Sequence, residues 1–270
     1  LAKKYQDAKS SIKWPAYVSC KYDGLRCTVF YRNGEVVMQS RGGESYPVIE
    51  HIADELVEGI FKYTPNAILD GELYKHGMHL EDIVRACKTT KHTDLRMKIK
   101  FYVFDYLASK NDASPLSERK ERMLNLPKHL GTNVVVVAQA FMANEEAMLD
   151  AHKDCTGRGY EGVVIRNADS IFKFGERTSD FQKYKVEEDA EFLVVGMEKT
   201  KQGGGVCVCQ YFKPDGSPDV FKVNVKCTKE KKQELWNKQD EYIGKWLNVS
   251  FEKLSKYHKP TKGVGEYFRD

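Results

Sequence analysis

The sequence predicts an α+β fold in two parts. Antiparallel sheets with helices fill residues 1–186, and a small barrel fills residues 187–270. Three observations carry this. Short apolar stretches are separated by tight-turn signals such as Asp23-Gly24 and Asn33-Gly34, the mark of hairpin-joined strands. Residues 48–61, 117–126 and 144–153 instead read as helices, the first through apolar residues at helical spacing. Near residue 186 the pattern changes to five short strands, one charged helix and turn-rich joins.

In order, residues 1–16 are polar and read as a surface lead-in ending at Trp14-Pro15. Residues 17–21, 25–31 and 35–40 form a meander of strands. After the helix at 48–61, residues 67–73 and 100–107 are apolar enough for central strands. Residues 133–140 read as one strand, and the helix after them has Asn144 as its cap. Residues 162–166, 170–174 and 181–186 are three more strands. In the second part, strands are expected at 190–200, 206–212, 220–225, 246–251 and 265–269, with a helix over 229–242. Five strands and one helix fit a barrel of the oligonucleotide-binding type.

Hydrophobic residues make up 41% and charged residues 30%, with a formal net charge of +4. That is a globular composition, and no apolar run approaches the roughly 20 residues of a membrane span. The seven cysteines are odd in number and scattered. They read as reduced, mostly buried thiols of a cytosolic-type compartment. The chain starts at Leu1 with no apolar signal segment in view, and a few upstream residues are expected to be missing.

Charged residues recur at the ends of apolar strands. Lys21-Tyr22-Asp23-Gly24 is followed by Arg26, and Ser40-Arg41-Gly42-Gly43 ends the third strand. Asp70-Gly71-Glu72, Phe104-Asp105, Glu161-Gly162-Val163-Val164 and Lys183-Tyr184-Lys185 complete the series. Six such strand ends in one part of the chain point to a shared charged cleft. The residue types suit one chemistry: arginines and lysines to hold a triphosphate, Glu72 and Glu161 for a ribose hydroxyl and a divalent cation, Phe104 to cover an adenine. Lys21 would then attack phosphorus as a covalent nucleophile.

These motifs, in this order, resemble those of the covalent nucleotidyltransferases: ATP-dependent polynucleotide ligases and mRNA-capping enzymes. The resemblance covers nearly the whole chain and is closest to small DNA ligases of the viral and phage type. It implies an adenylation (nucleotidyltransferase) domain followed by an OB-fold domain. It implies that the Lys21 position carries AMP, with ATP as cofactor and Mg²⁺, or Mn²⁺ in its place. Arg26 and Arg41 would contact phosphates, Glu72 the ribose and Phe104 the adenine. Glu161 and Glu72 would serve the metal, and Lys183 and Lys185 the α-phosphate. The catalytic set would be Lys21, Arg26, Glu161 and Lys185. Contacts from Lys173 and Arg177 are also expected.

The implied partner is nicked double-stranded DNA, bound by a monomer without a membrane, in the cytoplasm or nucleoid of a host cell. Lys199, Lys201, Lys213, Lys222, Lys226, Lys229, Lys231 and Lys232 would grip its backbone. Cys20 stands where many relatives have Pro, and Tyr22 is bulkier than the usual Leu. Only Phe268-Arg269-Asp270 could match the family's last motif. The alternatives are an RNA ligase, a capping guanylyltransferase, or a non-catalytic nucleic-acid-binding module.

Overall fold

The computed structural model describes residues 2–126 and 130–269. Leu1, Pro127, Lys128, His129 and Asp270 lie outside them, and with Asp270 the end of the expected last motif. The chain divides into two compact units, residues 1–185 and 186–270.

In the first unit, β1 (Ala2–Lys4) and α1 (Tyr5–Ala8) lead to β2 (Ala16–Lys21), β3 (Leu25–Arg32) and β4 (Glu35–Ser40). Then come α2 (Glu50–Leu56), β5 (Ile68–Tyr74), α3 (Leu80–Lys88), α4 (Asp94–Met97), β6 (Lys100–Leu107) and α5 (Leu116–Leu124). β7 (Val134–Val136), β8 (Ala140–Met142), α6 (Glu145–Gly157), β9 (Gly162–Arg166) and β10 (Thr178–Tyr184) complete it. Two five-stranded sheets result, ordered β1-β10-β9-β2-β8 and β4-β3-β5-β6-β7.

Period-two alternation assigns each sheet one apolar face. In the first sheet Ala16, Val18, Val163 and Ile165 pack with Met148 and Cys155 of α6. In the second, Val29, Met38, Leu69, Leu73 and Phe101 pack with Ile52 and Leu56 of α2 and Ile83 of α3. The opposite faces carry the charged side chains. A buried ion cluster links the sheets. Asp105 on β6 accepts hydrogen bonds from Arg119 of α5 (Nε, 2.8 Å) and from Arg166 Nη2 of β9. Arg119 and Asp105 are fully buried. Burial alone would raise the Asp105 carboxyl, but the two guanidinium groups outweigh it and hold it below the usual carboxylate range.

The second unit is a closed barrel in the order β11-β12-β13-β15-β14. Its elements are β11 (Glu188–Lys199), β12 (Gly205–Phe212), β13 (Pro218–Val225), α7 (Lys229–Asn237), β14 (Trp246–Phe251) and β15 (Val264–Arg269). The long β11 closes the ring. Its first half pairs with β14, its second half with β12, and the register shifts between Val194 and Gly196. Such an irregularity bends a strand. Val194, Cys209, Phe221, Val223, Leu247 and Val249 fill the interior.

Several expectations need correction. Residues 133–140 are not one strand: β7 pairs with β6 and β8 with β2, in different sheets. An unbroken apolar run has no period to mark that crossing. Residues 170–174 join neither sheet beyond an isolated bridge between Ile171 and Pro115. The N-terminal lead-in is partly core, since β1 pairs with β10 and Tyr5 and Ile12 are buried. The helix expected over 229–242 stops at Asn237, and one 3-10 turn follows at Gln239–Glu241.

The cysteines are not all reduced. Cys20 and Cys155 form a disulfide, with Cα atoms 5.5 Å apart and 135 residues between them in sequence. The end of β2 and the inner face of α6 bring them together, which spacing along the chain cannot reveal. Cys27, Cys87, Cys207, Cys209 and Cys227 are free thiols. Burial pushes Cys207 and Cys209 up to about 12.

Arg119→Ala would leave Asp105 buried beside one arginine instead of two. The expected cost is about 3–5 kcal/mol, read as a lower urea midpoint with an unchanged slope.

Candidate active site

The chain's own pairing assembles the site. β2 and β9 run antiparallel with Lys21 opposite Gly162, and the Glu161 N–H donates to the Lys21 carbonyl at 3.0 Å. β10 pairs with β9 on the other side, bringing Lys185 alongside. Gly162 makes that approach feasible. A Cβ there would stand 2.3 Å from the Tyr184 carbonyl oxygen and 3.1 Å from Lys185 Cβ.

The three side chains meet. Lys21 Nζ donates to Glu161 Oε2, and Lys185 Nζ donates to Glu161 Oε1 at 2.9 Å. All three are largely buried, Lys21 the least at 23% exposure. Burial raises the Glu161 carboxyl, but Lys21 and Lys185 outweigh it and hold it below its usual range. It is a carboxylate shared by two ammonium groups.

The second sheet contributes Arg26 and Glu72, directly opposite one another on β3 and β5. Arg26 forms a two-point ion pair with Asp70 through Nε and Nη2. Gly71 separates Asp70 from Glu72 because no other residue fits, its Cβ position being 2.5 Å from the Tyr102 carbonyl oxygen. Burial pushes the Glu72 carboxyl up to about 7, against the pull of Arg26 and Lys21.

Phe104 is the unpaired residue of a bulge. Asp70 pairs with Asp105 and Gly71 with Val103, leaving Phe104 between them. Bulges re-aim side chains beside functional sites. The Phe104 carbonyl accepts from Gln139 Nε2 at 2.9 Å and Arg166 Nη1 at 3.0 Å. The Arg26 guanidinium stands over its ring at 4.4 Å.

Arg41 is not part of this cluster. It is exposed in the turn after β4 and lines a groove of about 690 Å³ with Arg26, Arg32, Lys110 and Lys173. Lys183 faces the same side of the first sheet as Lys185 and lies opposite Val164. Among the described residues, no group of three or more His, Cys, Asp or Glu side chains could hold a metal ion. In the second unit, Lys213, Lys222, Lys226 and Lys231 are paired with Asp219, Glu198, Glu266 and Glu234. Arg269 pairs with Glu191 at 2.8 Å.

Two features escaped the sequence reading. Arg166 orders the Phe104 bulge, and its place two residues beyond Val164 on an alternating strand was the available signal. Tyr22, Tyr74, Tyr102 and Tyr160 form a ring cluster with centroids 4.7–6.4 Å apart. Tyr22 follows Lys21 and Tyr160 precedes Glu161, so the cluster buttresses both ends of that contact.

Residues 1–185 match the family model described as ATP dependent DNA ligase domain. The DNA ligase of African swine fever virus (isolate Warthog/Namibia/Wart80/1980) is 28% identical over 192 residues, covering 69% of this chain and 45% of that protein. The DNA ligase of vaccinia virus (strain Ankara) is 24% identical over 281 residues, covering 96% of this chain and 48% of that protein. The chain therefore spans under half the length of these relatives. Among solved structures, a Lig E DNA ligase superposes with a TM-score of 0.76 at 21% identity, covering 100% of this chain and 98% of that one. Chlorella virus DNA ligase-adenylate gives 0.55 at 22%, covering 100% and 97%. The fold expected from the sequence is borne out.

Glu72 gives the site a pH signature. The folded chain holds its proton more tightly than the unfolded chain does, with a value near 7 against an ordinary 4.5. Its contribution to stability is complete below the ordinary value and is lost as pH rises through about 7. Urea unfolding of wild type and Glu72→Gln at about pH 5 and about pH 8 should show the variant gaining relative stability at the higher pH.

Proposed function

This chain belongs to the ATP-dependent DNA ligase family, and on that premise we propose that it seals nicks in duplex DNA through a lysyl-AMP intermediate. The contact of Lys21 with Glu161, itself shared with Lys185, is the observation that carries the reading. It supplies a nucleophile, a group to receive its proton, and a second cation for the phosphate.

In the first step the Lys21 amine attacks the α-phosphorus of ATP. The N–P bond forms, the bond to the β-phosphate oxygen breaks, and pyrophosphate leaves. Glu161, already hydrogen-bonded to the amine, receives its proton. Lys185 and Lys183 offset the charge developing on the α-phosphate oxygens. Glu72 holds the ribose, Phe104 covers the adenine, and Arg26 and Arg41 contact phosphates. Mg²⁺, or Mn²⁺ in its place, fits these residues as magnesium commonly binds, through one or two carboxylates plus phosphates. Glu161 and Glu72 would hold it, and it would neutralise phosphate charge.

In the second step a 5′-phosphate oxygen at the nick attacks the lysyl-AMP phosphorus, the N–P bond breaks and Lys21 regains its proton. In the third, the 3′-hydroxyl attacks the 5′-phosphate, loses its proton and expels AMP. The barrel unit would hold duplex backbone through its lysines, without reading bases. The protein is proposed to act as a monomer where host DNA lies, in the cytoplasm or nucleoid.

Folded protein incubated with labelled ATP and Mg²⁺ should acquire acid-labile AMP on Lys21. Lys21→Ala should acquire none, and Glu161→Gln should label about 100-fold more slowly. ATP against GTP, on nicked DNA against nicked RNA, should yield product with ATP and DNA. Product with GTP, or on RNA alone, would instead favour the capping or RNA-ligase reading.

A further inference from the structure

We propose that Cys20 and Cys155 are a redox modification site whose disulfide sets the rate at which Lys21 accepts AMP. The inference rests on the nucleotidyl-transfer reading of Lys21 and adds a chemical control to it.

The geometry is specific. Cys20 immediately precedes Lys21 on β2, and Cys155 lies on α6. The chain leaving α6 reaches Glu161 within six residues, and the Tyr160 N–H donates to the Cys155 carbonyl at 3.0 Å. The Glu161 N–H in turn donates to the Lys21 carbonyl. The disulfide and this backbone bond therefore close a small ring of structure. One side carries the nucleophile and the other the carboxylate that touches it. Tyr22 and Tyr160 pack against each other at 5.1 Å between centroids, across the same junction. A covalent tie here narrows the positions Lys21 can take relative to Glu161. Small misplacements of reacting groups cost rate steeply.

The pair also has the surroundings of an exchangeable disulfide. Cys20 is only half-buried, whereas Cys155 is buried. Arg158 Nη2, ion-paired with Asp154 at 2.7 Å, also stands 3.2 Å from Cys20 Sγ and 3.8 Å from Cys155 Sγ. Exchange needs a sulfur that an attacking thiolate can reach, and Cys20 is the less buried of the two. The other cysteines are free and lie outside this junction.

The reaction is a two-electron thiol–disulfide exchange with a small monothiol such as glutathione. One thiolate attacks Cys20 Sγ, the Cys20–Cys155 bond breaks and Cys155 leaves as thiolate. A second thiolate resolves the mixed disulfide. The protein gains two electrons and two protons, and the monothiol becomes its disulfide. Reoxidation is the reverse.

The test uses intact protein equilibrated in glutathione buffers from reducing to oxidising. Differential alkylation and mass spectrometry give the fraction cross-linked. Single-turnover labelling with ATP gives the rate of lysyl-AMP formation. The rate at saturating ATP should follow the cross-linked fraction and fall at least about fivefold on full reduction, with little change in the ATP concentration for half-maximal rate. Cys20→Ser with Cys155→Ser should match reduced wild type in every buffer. Equal rates in the verified oxidised and reduced forms of wild type would overturn the proposal and leave the ligase reading intact. So would free thiols at both positions in folded protein under oxidising buffer. No label in either form would overturn the nucleotidyl-transfer reading and this inference with it.

Discussion

The first unit depends on one buried carboxylate. Asp105 lies on the second sheet, Arg166 on the first, and Arg119 on the helix that packs against β6. Three charges away from water would be costly alone. Here Asp105 also accepts from the Tyr106 N–H, and Arg119 donates to the Ser170 carbonyl at 3.0 Å. The cluster ties the two sheets together beside a cleft that Phe104, Phe172 and Phe181 also line. It also holds the carbonyl of the bulged Phe104, and thereby the neighbouring ring.

Within that frame, close backbone approach does the local assembly. Gly71 lets β5 lie against β6 where Asp70 and Glu72 must both face the cleft. Gly162 lets β9 pass under the carbonyl of Tyr184, so that Lys185 and Lys21 reach the same carboxylate. Side chains at either point would push apart the groups the site brings together. The motifs Asp70-Gly71-Glu72 and Glu161-Gly162 are thus statements about steric room as much as about charge.

This explains what was legible in the sequence. Strand ends bearing a charge beside glycine could be read directly, and Lys21, Glu161 and Lys185 meet as that reading implied. The barrel was legible because alternation such as that of β13 has one sheltered face. What could not be read depends on contacts between distant segments. Residues 133–140 cross from one sheet to the other with no change of hydropathy. Arg166 resembles any strand-end arginine until Asp105 is opposite it. Cys20 and Cys155 have no sequence relation at all; only the packing of α6 on β2 joins them. Phe172 and Phe174 looked like strand residues because apolar alternation in a loop and in a strand are identical as text. The dense lysines of the second unit overstated its free charge, since Lys213, Lys222, Lys226 and Lys231 each have a carboxylate beside them.

The sharing of Glu161 by two lysines bears on how the proposed reaction begins. Glu161 accepts a hydrogen bond from each of the two lysines. In the proposed reaction the triphosphate of ATP would compete with Glu161 for Lys185. With Lys185 on phosphate, Glu161 would lose one of the two cations that hold its carboxyl low. The group still hydrogen-bonded to that carboxylate would be Lys21. Binding of the triphosphate would thus act on the nucleophile through the carboxylate that Lys21 and Lys185 share. The same coupling makes the position of Lys21 relative to Glu161 the quantity that the surrounding structure has most reason to control.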